Sequence, residues 1–270
     1  MPTSKLIGKW QQLPMRSRLS ILGRVPGMRL LFLLVPLISS CVPVDSTPAD
    51  NKKASAINVQ LGIGYMQQNN LEIANEKLLK ALEQDPKSSS AHNAYAMLQD
   101  RLLIKDKAAY HYEKATSLDP SDSQAANNYG TFLCRNNEEA KSEKYFLRAI
   151  KNPLYRTPEY AYTNAALCLL RIKQRDKAIS YLTKALAAKS NFPTALAAMA
   201  KITFEDQNFR QAKIYLDQYH LVARPSAKSL WLTIRTELAL GSNYDVDELA
   251  AQLRKDFPNS DEYQSWLAIQ

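Results

Sequence analysis

Three histidines, three cysteines and the paired carboxylates Glu138-Glu139 and Asp261-Glu262 are the side chains in this 270-residue chain first weighed for chemistry. His92, His111 and His220 have the ring nitrogens to ligate a metal or shuttle a proton. Their spacing supports neither role: no His-Glu-x-x-His pair occurs, and none of the three sits in a recognisable metal-ligand pattern with carboxylates or cysteines. His92 falls on a first helix of a helix pair, His111 and His220 on or near second helices, and all three read as surface or internally satisfied residues. Glu138-Glu139 and Asp261-Glu262 sit near expected helix starts, where carboxylates favour the positive end of the helix dipole. They have no partner for acid–base work. Nucleophile elbows, phosphate loops and dinucleotide glycine patterns are missing from the sequence. An enzyme, a metal centre, a cofactor and a small-molecule substrate are therefore not expected. Cys134 and Cys168 lie on first helices of neighbouring pairs. A two-residue insertion between them puts them at different positions within their units, so they read as two buried thiols, each packing as a small hydrophobe. A bridge is the alternative in an oxidising compartment.

Cys41 has a different setting. Residues 28–41 run Met-Arg-Leu-Leu-Phe-Leu-Leu-Val-Pro-Leu-Ile-Ser-Ser-Cys. A basic start, a short apolar run from Leu30 to Ile38 and two small residues follow the order of a secretory signal peptide. The run is far shorter than the ~20 residues of a membrane-spanning helix. Ile38-Ser39-Ser40-Cys41 resembles a bacterial lipobox, which implies a covalent lipid on the Cys41 thiol and cleavage just before it. Several acyl chains hold a protein on a membrane where one gives only reversible binding. Val42 after the cysteine implies sorting to the outer membrane. Residues 1–40 are thus expected to be a signal peptide, with 1–27 a possible extension ahead of a start at Met28. Residues 41–54 are expected to be the lipidated N-terminus and a flexible tether.

Charge agrees with that division. The chain carries 35 basic and 26 acidic residues, a net charge of +9. Residues 1–40 hold Lys5, Lys9, Arg16, Arg18, Arg24 and Arg29 and no acid, and setting those six aside leaves 29 against 26, a net of +3. The basic excess belongs mostly to the leader, so a nucleic-acid partner is not expected. Seven glycines also argue against turn-rich β architectures.

The elements behind these residues come from an internal period. Ala-Leu-Glu-Gln-Asp-Pro ending at Pro86 and Ala-Thr-Ser-Leu-Asp-Pro ending at Pro120 are offset by 34 residues, as are Ala74 and Ala108, and Ala81 and Ala115. Leu61, Gly62, Tyr65, Ala74, Leu78, Ala81 and Pro86 fall where tetratricopeptide repeats place their signature residues. Further units follow through Tyr129 and Gly130, through Ala165 and Ala166 after a two-residue insertion near Pro153–Pro158, and through Met199 and Ala200. A degenerate sixth keeps Ile234, Ala250, Leu253 and Pro258. The period predicts an all-α, right-handed superhelical solenoid of about six tetratricopeptide helix pairs over 55–260, with a terminal helix over 261–270. An irregular helical bundle is the alternative. In each pair, small residues such as Gly62, Ala74 and Ala81 allow close approach, and Leu61, Tyr65 and Leu78 fill the seam. One pair cannot bury its own apolar face, so neighbours must stack.

Such a stack exposes a concave face lined by first helices. Counting within the units predicts Val59, Ile63 and Met66 from the first, Asn93, Met97 and Arg101 from the second, Asn127, Thr131 and Arg135 from the third, and Thr163, Leu167 and Arg171 from the fourth. The first two units offer an apolar, methionine-bearing strip and the next two offer polar groups and guanidiniums. The row suits an amphipathic helix or extended tail with an acidic or carboxylate end. The convex face and the C-terminal cap are rival binding surfaces.

Several stretches resemble a known family. They are Cys41 in its lipobox, Asn127-Asn128-Tyr129-Gly130-Thr131-Phe132-Leu133-Cys134, Pro153-Leu154-Tyr155 leading into Asn164-Ala165-Ala166-Leu167, Ser229-Leu230-Trp231-Leu232-Thr233-Ile234-Arg235, and Phe257-Pro258-Asn259-Ser260-Asp261-Glu262-Tyr263. The chain over roughly 41–267 resembles the lipoproteins of type IV pilus biogenesis and stability that act as secretin pilotins. The resemblance implies a non-enzymatic, lipid-anchored adaptor on the periplasmic face of the outer membrane. Such an adaptor binds secretin subunits and promotes their localisation and multimerisation there. A scaffold lipoprotein for other envelope assembly, serving β-barrel insertion or a cell-wall enzyme, shares the anchor and repeats and is the alternative.

Overall fold

A computed structural model describes residues 47–270, with the backbone alone at 243–245. The leader, the lipobox with Cys41 and residues 42–46 lie outside the described residues.

Thirteen helices make up the described chain. They pair in sequence as α1 (Pro48–Gln67) with α2 (Leu71–Gln84), α3 (Ser89–Arg101) with α4 (Lys105–Leu118), α5 (Ser123–Arg135) with α6 (Glu139–Lys151), α7 (Pro158–Arg171) with α8 (Arg175–Ala188), α9 (Pro193–Glu205) with α10 (Phe209–Val222), and α11 (Ala227–Leu240) with α12 (Asn243–Asp256). A short α13 (Asp261–Leu267) closes the stack against α11 and α12. The first helix of each pair also packs on the first helix of the next, so the odd-numbered helices form one continuous layer. The fold is a tetratricopeptide-type solenoid, as the 34-residue period predicts.

Local chemistry sets the helix ends. Asn70, Ser88, Asp122, Asn208 and Ser260 each accept a hydrogen bond from the backbone N–H three residues on. α2 and α4 stop two residues before Pro86 and Pro120, where the next backbone bond cannot be made. The tether expectation is corrected at its end, because α1 begins at Pro48 rather than near residue 55. Thr47 and Asp50 form a reciprocal capping box and Pro48 stands at the first helical position, where its missing N–H costs nothing.

Each turn inside a pair is built the same way. Asn69, Leu103, Asn137, Lys173, Gln207 and Gly241 all have positive φ. The residue after each sends its N–H back to the carbonyl five residues earlier, as Asn70 to Tyr65, Ile104 to Gln99, Glu138 to Leu133, Gln174 to Leu169, Asn208 to Thr203 and Ser242 to Glu237. This is the Schellman closure, in which a left-handed residue lets the chain double back within a few residues.

The seam depends on size complementarity. Ala74, Leu78 and Ala81 are fully buried, as are Ala178, Leu182 and Ala185. A Cβ added at Gly62 would lie 2.5 Å from Leu78 Cγ, and one at Gly130 would lie 2.9 Å from the Phe146 ring. Leu61 does not fill the seam as expected. It is 44% exposed, because it sits one position round the helix from Gly62 and turns outward.

Cys134 and Cys168 form a disulfide between α5 and α7, with Cα atoms 5.8 Å apart. This overturns the reading of two separate thiols. Their non-equivalent positions within the units do not keep them apart. In a stack of like units, equivalent residues point the same way, so residues that face each other across a seam are necessarily non-equivalent. The Cα separation is within the range a bridge requires.

The seam makes a prediction at two glycines two residues apart in α1. Gly62→Ala collides with buried Leu78 and lowers unfolding free energy by ~1–3 kcal/mol. Gly64→Ala meets nothing within 4 Å and raises it by up to ~1 kcal/mol through helix propensity. Urea unfolding followed by circular dichroism separates the two; equal effects contradict the close approach of α1 and α2.

Candidate partner-binding face

Adding the repeat length to one position on α1 traces a row along the odd-helix layer. Ile63, Met97, Thr131, Leu167, Lys201 and Arg235 are equivalent, stepping by 34 residues except for one step of 36 across the insertion. Val59, Asn93, Asn127, Thr163, Ala197 and Trp231 form a second row one helical turn earlier. The sequence reading stopped at the fourth unit and so missed Lys201, Trp231 and Arg235, which the same arithmetic finds.

The predicted lining residues divide by environment. Ile63, Met97 and Thr131 are partly exposed and Leu167 is exposed, so these four are surface. Val59, Asn93, Asn127 and Thr163 are buried under the neighbouring unit. Asn128 Nδ2 donates to Asn93 Oδ1 at 3.1 Å, and Asn164 Nδ2 donates to Asn127 Oδ1 at 3.1 Å. These amides form an inter-repeat ladder in which buried polar atoms satisfy each other. Met66 is out of register: Gln67 is the true equivalent of Arg101, and Met66 turns into the core beside Leu78 and Leu98.

The three predicted guanidiniums are all engaged within the chain. Arg101 donates to the Met66 carbonyl at 2.5 Å and to Asn69 Oδ1 at 2.8 Å. Arg135 pairs with Asp100. Arg171 donates to Asn137 Oδ1 at 2.8 Å and lies 3.5 Å from Glu139. Each reaches back to the turn of the preceding unit, so the arginines act as braces between repeats. Arg175, at the start of α8, braces forward instead, to Glu205 at 2.9 Å, Asp206 at 2.6 Å and the Ile202 carbonyl at 2.8 Å.

A large hollow lies further along the stack, between α9, α10 and α11, with a volume of about 920 Å³. Its wall includes Phe204, Phe209, Tyr219, Trp231 and Leu232, with the cations Lys201, Lys228 and Arg235 and the carboxylates Glu205 and Glu262. A second hollow of about 520 Å³, lined by Leu167, Leu170 and Ala198, shares Lys201 and Glu205 with the first. A trough therefore runs along the layer from the fourth unit to the sixth.

The histidines have structural roles. His92 Nε2 faces the Pro86 carbonyl at 3.1 Å, so it carries the proton and donates. His92 Nδ1 is then an acceptor, and His111 Nδ1 donates to it at 2.8 Å. Burial, then the adjacent His92 and Lys107, push the His111 imidazole down to about 4. Burial also lowers His92. His220 Nε2 is 3.0 Å from Thr233 Oγ1. Among the described residues no three His, Cys, Asp or Glu side chains converge as a metal site would require.

The tetratricopeptide-repeat family model matches residues 111–144. The type IV pilus assembly protein PilF of Pseudomonas aeruginosa is 31% identical over 244 residues, covering 88% of this chain and 97% of PilF. The chain belongs to the PilF family of type IV pilus assembly proteins. The solved structure of P. aeruginosa PilF superposes with a TM-score of 0.76 at 30% identity, over 82% of this chain and 99% of that one. PilW, described as a widely conserved type IV pilus biogenesis factor, superposes with a TM-score of 0.71 at 34% identity, over 79% of this chain and 98% of its own. The resemblance carried by the Asn127–Cys134 stretch and the C-terminal motifs is thus a family relationship. In this PilF-family chain the Asn127–Cys134 and Asn164–Leu167 stretches have structural work: they hold the asparagine ladder, Gly130 under Phe146 and one half of the disulfide.

Two outcomes follow from the bridge and the histidine pair. The disulfide closes a span of 34 residues, so Cys134→Ala with Cys168→Ala lowers unfolding free energy by ~2–4 kcal/mol. Dithiothreitol lowers the urea midpoint of the wild type and leaves the double variant unmoved; a wild type indifferent to reductant contradicts the bridge. The His111 folded-state value of about 4 lies below the ordinary 6.5. The unfolded chain therefore binds more protons between those values, and stability that is complete above pH 6.5 falls as pH drops towards 4. Thermal melts from pH 7 to 4.5 show a decline that His111→Phe flattens; parallel curves for the two proteins contradict the buried neutral pair.

Proposed function

We propose that this protein is a pilotin of the type IV pilus machine. Lipid on Cys41 anchors it to the periplasmic face of the outer membrane, and its odd-helix face binds secretin subunits and promotes their localisation and multimerisation. The family relationship to PilF across nearly the whole chain is the observation that carries this reading. The lipobox at Ile38-Ser39-Ser40-Cys41 supports the anchor. No helix among the described residues is long and apolar enough to cross a membrane, so membrane attachment in this reading rests on the lipid.

The disposition of reactive groups supports an adaptor over a catalyst. The cysteines of the solenoid are bridged, His92 and His111 satisfy each other, and Arg101, Arg135 and Arg171 are each engaged by the preceding repeat. What remains open is surface: Ile63, Met97, Thr131 and Leu167 in one row, and the trough beyond them. A row of apolar side chains on a rigid stack suits a segment that docks, and offers nothing that breaks or makes a bond.

In a deletion strain, Cys41→Ser moves the protein to the soluble periplasmic fraction and reduces secretin multimers and surface pili. Ile63→Glu with Leu167→Glu stays with the outer membrane and loses most of the co-purifying secretin. Undiminished multimers with the first variant and undiminished co-purification with the second would reject the pilotin reading.

A further inference from the structure

We infer that the trough between α9, α10 and α11 is a docking site for an acidic, apolar peptide segment, with Arg235 receiving the carboxylate. The inference deepens the proposed adaptor role, since it assigns one end of the binding face and the chemistry of what sits there.

Arg235 differs from every arginine brace described above. Its guanidinium lies 4.4 Å from the centre of the Phe204 ring and 5.9 Å from that of Trp231. Phe204 is itself backed by Phe209, edge-on at 5.3 Å. Among the described residues no carboxylate or hydrogen-bond acceptor meets the Arg235 N–H groups, in contrast to Arg101, Arg135, Arg171 and Arg175. A guanidinium held over an aromatic face keeps its N–H donors available to a carboxylate. Stacking also removes much of the side-chain freedom that an exposed arginine would otherwise lose on binding.

The register gives the direction of the segment. Along the row Ile63, Met97, Thr131, Leu167, Lys201, Arg235, side chains pass from apolar to cationic. Lys201 is held only loosely, 3.8 Å from Glu205, a carboxylate that Arg175 already occupies. A segment lying along the layer thus meets apolar contacts first and positive charge last. Its Asp or Glu reaches Arg235 while a neighbouring aromatic or large aliphatic side chain enters the pocket walled by Phe204, Tyr219 and Trp231. The periodicity alone offered Arg135 and Arg171 for acid recognition; here it falls to Arg235 in the sixth unit.

The test pans a phage-displayed library of random dodecapeptides on the full-length protein held in detergent micelles. The expected result is enrichment of peptides with Asp or Glu beside aromatic or large aliphatic residues. The strongest is then synthesised with a fluorescent label and titrated against wild type, Arg235→Gln and Arg235→Glu. Affinity falls roughly tenfold or more for Arg235→Glu and less for Arg235→Gln, with melting curves unchanged because Arg235 is exposed. A copy of the peptide with its acids replaced by amides binds wild type as weakly as the acidic peptide binds Arg235→Glu. No enrichment, enrichment without acidic residues, or equal affinity for wild type and Arg235→Glu each overturns the inference. Peptide selection that succeeds while secretin co-purification fails in cells leaves this site standing and rejects the secretin as its partner. The reverse pattern keeps the pilotin reading and removes this site.

Discussion

Close approach of two helices over a small residue is the interaction on which the rest of this structure depends. At one position of each odd helix stand Gly62, Ala96, Gly130, Ala166, Ala200 and Ile234, and at one position of each even helix stand Leu78, Tyr112, Phe146, Leu182, Leu216 and Ala250. All of these side chains and glycines are buried. Five pairs put the small residue on the odd helix and the large one on the even helix. The sixth reverses them, with Ile234 and Ala250 in one cluster. What reads in sequence as degeneracy is an exchange of knob and hole that keeps the summed volume, and cores tolerate volume-conserving exchanges far better than a net gain or loss.

Tight pairs impose a second constraint, because a unit repeated along an axis meets its neighbour through unlike positions. The cross-repeat contacts obey it. Arg101 reaches Met66 and Asn69, Asn128 reaches Asn93, Asn164 reaches Asn127, Arg171 reaches Asn137, and Cys134 is joined to Cys168. Side chains that the periodicity marks as equivalent are therefore the ones that cannot touch. They form rows along the layer instead, some buried like Val59 to Thr163 and some partly or fully exposed like Ile63 to Arg235, and an exposed row is what an extended partner reads.

That distinction explains how much was legible in the sequence. The helix pairs, their number and the close-packed seam were legible because Gly62, Ala74 and Ala81 recur at a fixed spacing and small residues have one dominant use there. The surface row was legible for the same reason, and its last members Lys201 and Arg235 needed only the same step repeated. The braces were not. Nothing local to Arg101 or Arg171 reveals that an asparagine more than thirty residues earlier waits for it, so both looked free for a partner. The turns were hidden differently. Leu103, Lys173 and Gln207 take left-handed φ without being glycine, because the Schellman bonds and the two flanking helices fix the chain path and override the residue's own preference. The early start of α1, inside the expected tether, was hidden because Pro48 opens a helix only with Thr47 and Asp50 completing a cap around it.

The engagement of the arginines of the second, third and fourth units also bears on where binding energy is available. A guanidinium already holding a carbonyl and an amide, as Arg101 does, must break those bonds to greet a ligand, so its net contribution is small. Arg135 and Arg171 are limited in the same way by Asp100, Asn137 and Glu139. Arg235 gives up only water, and the aromatic rings beneath it keep their contact whether or not a carboxylate arrives. Cations in the stack thus serve two different ends. The early ones set the spacing between units and thereby the pitch of the face, and the late one is left to recognise charge. A rigid spacing upstream is what gives that recognition a defined distance from the apolar row at Ile63 and Met97, so a partner must match the length between its apolar and acidic groups as well as their chemistry.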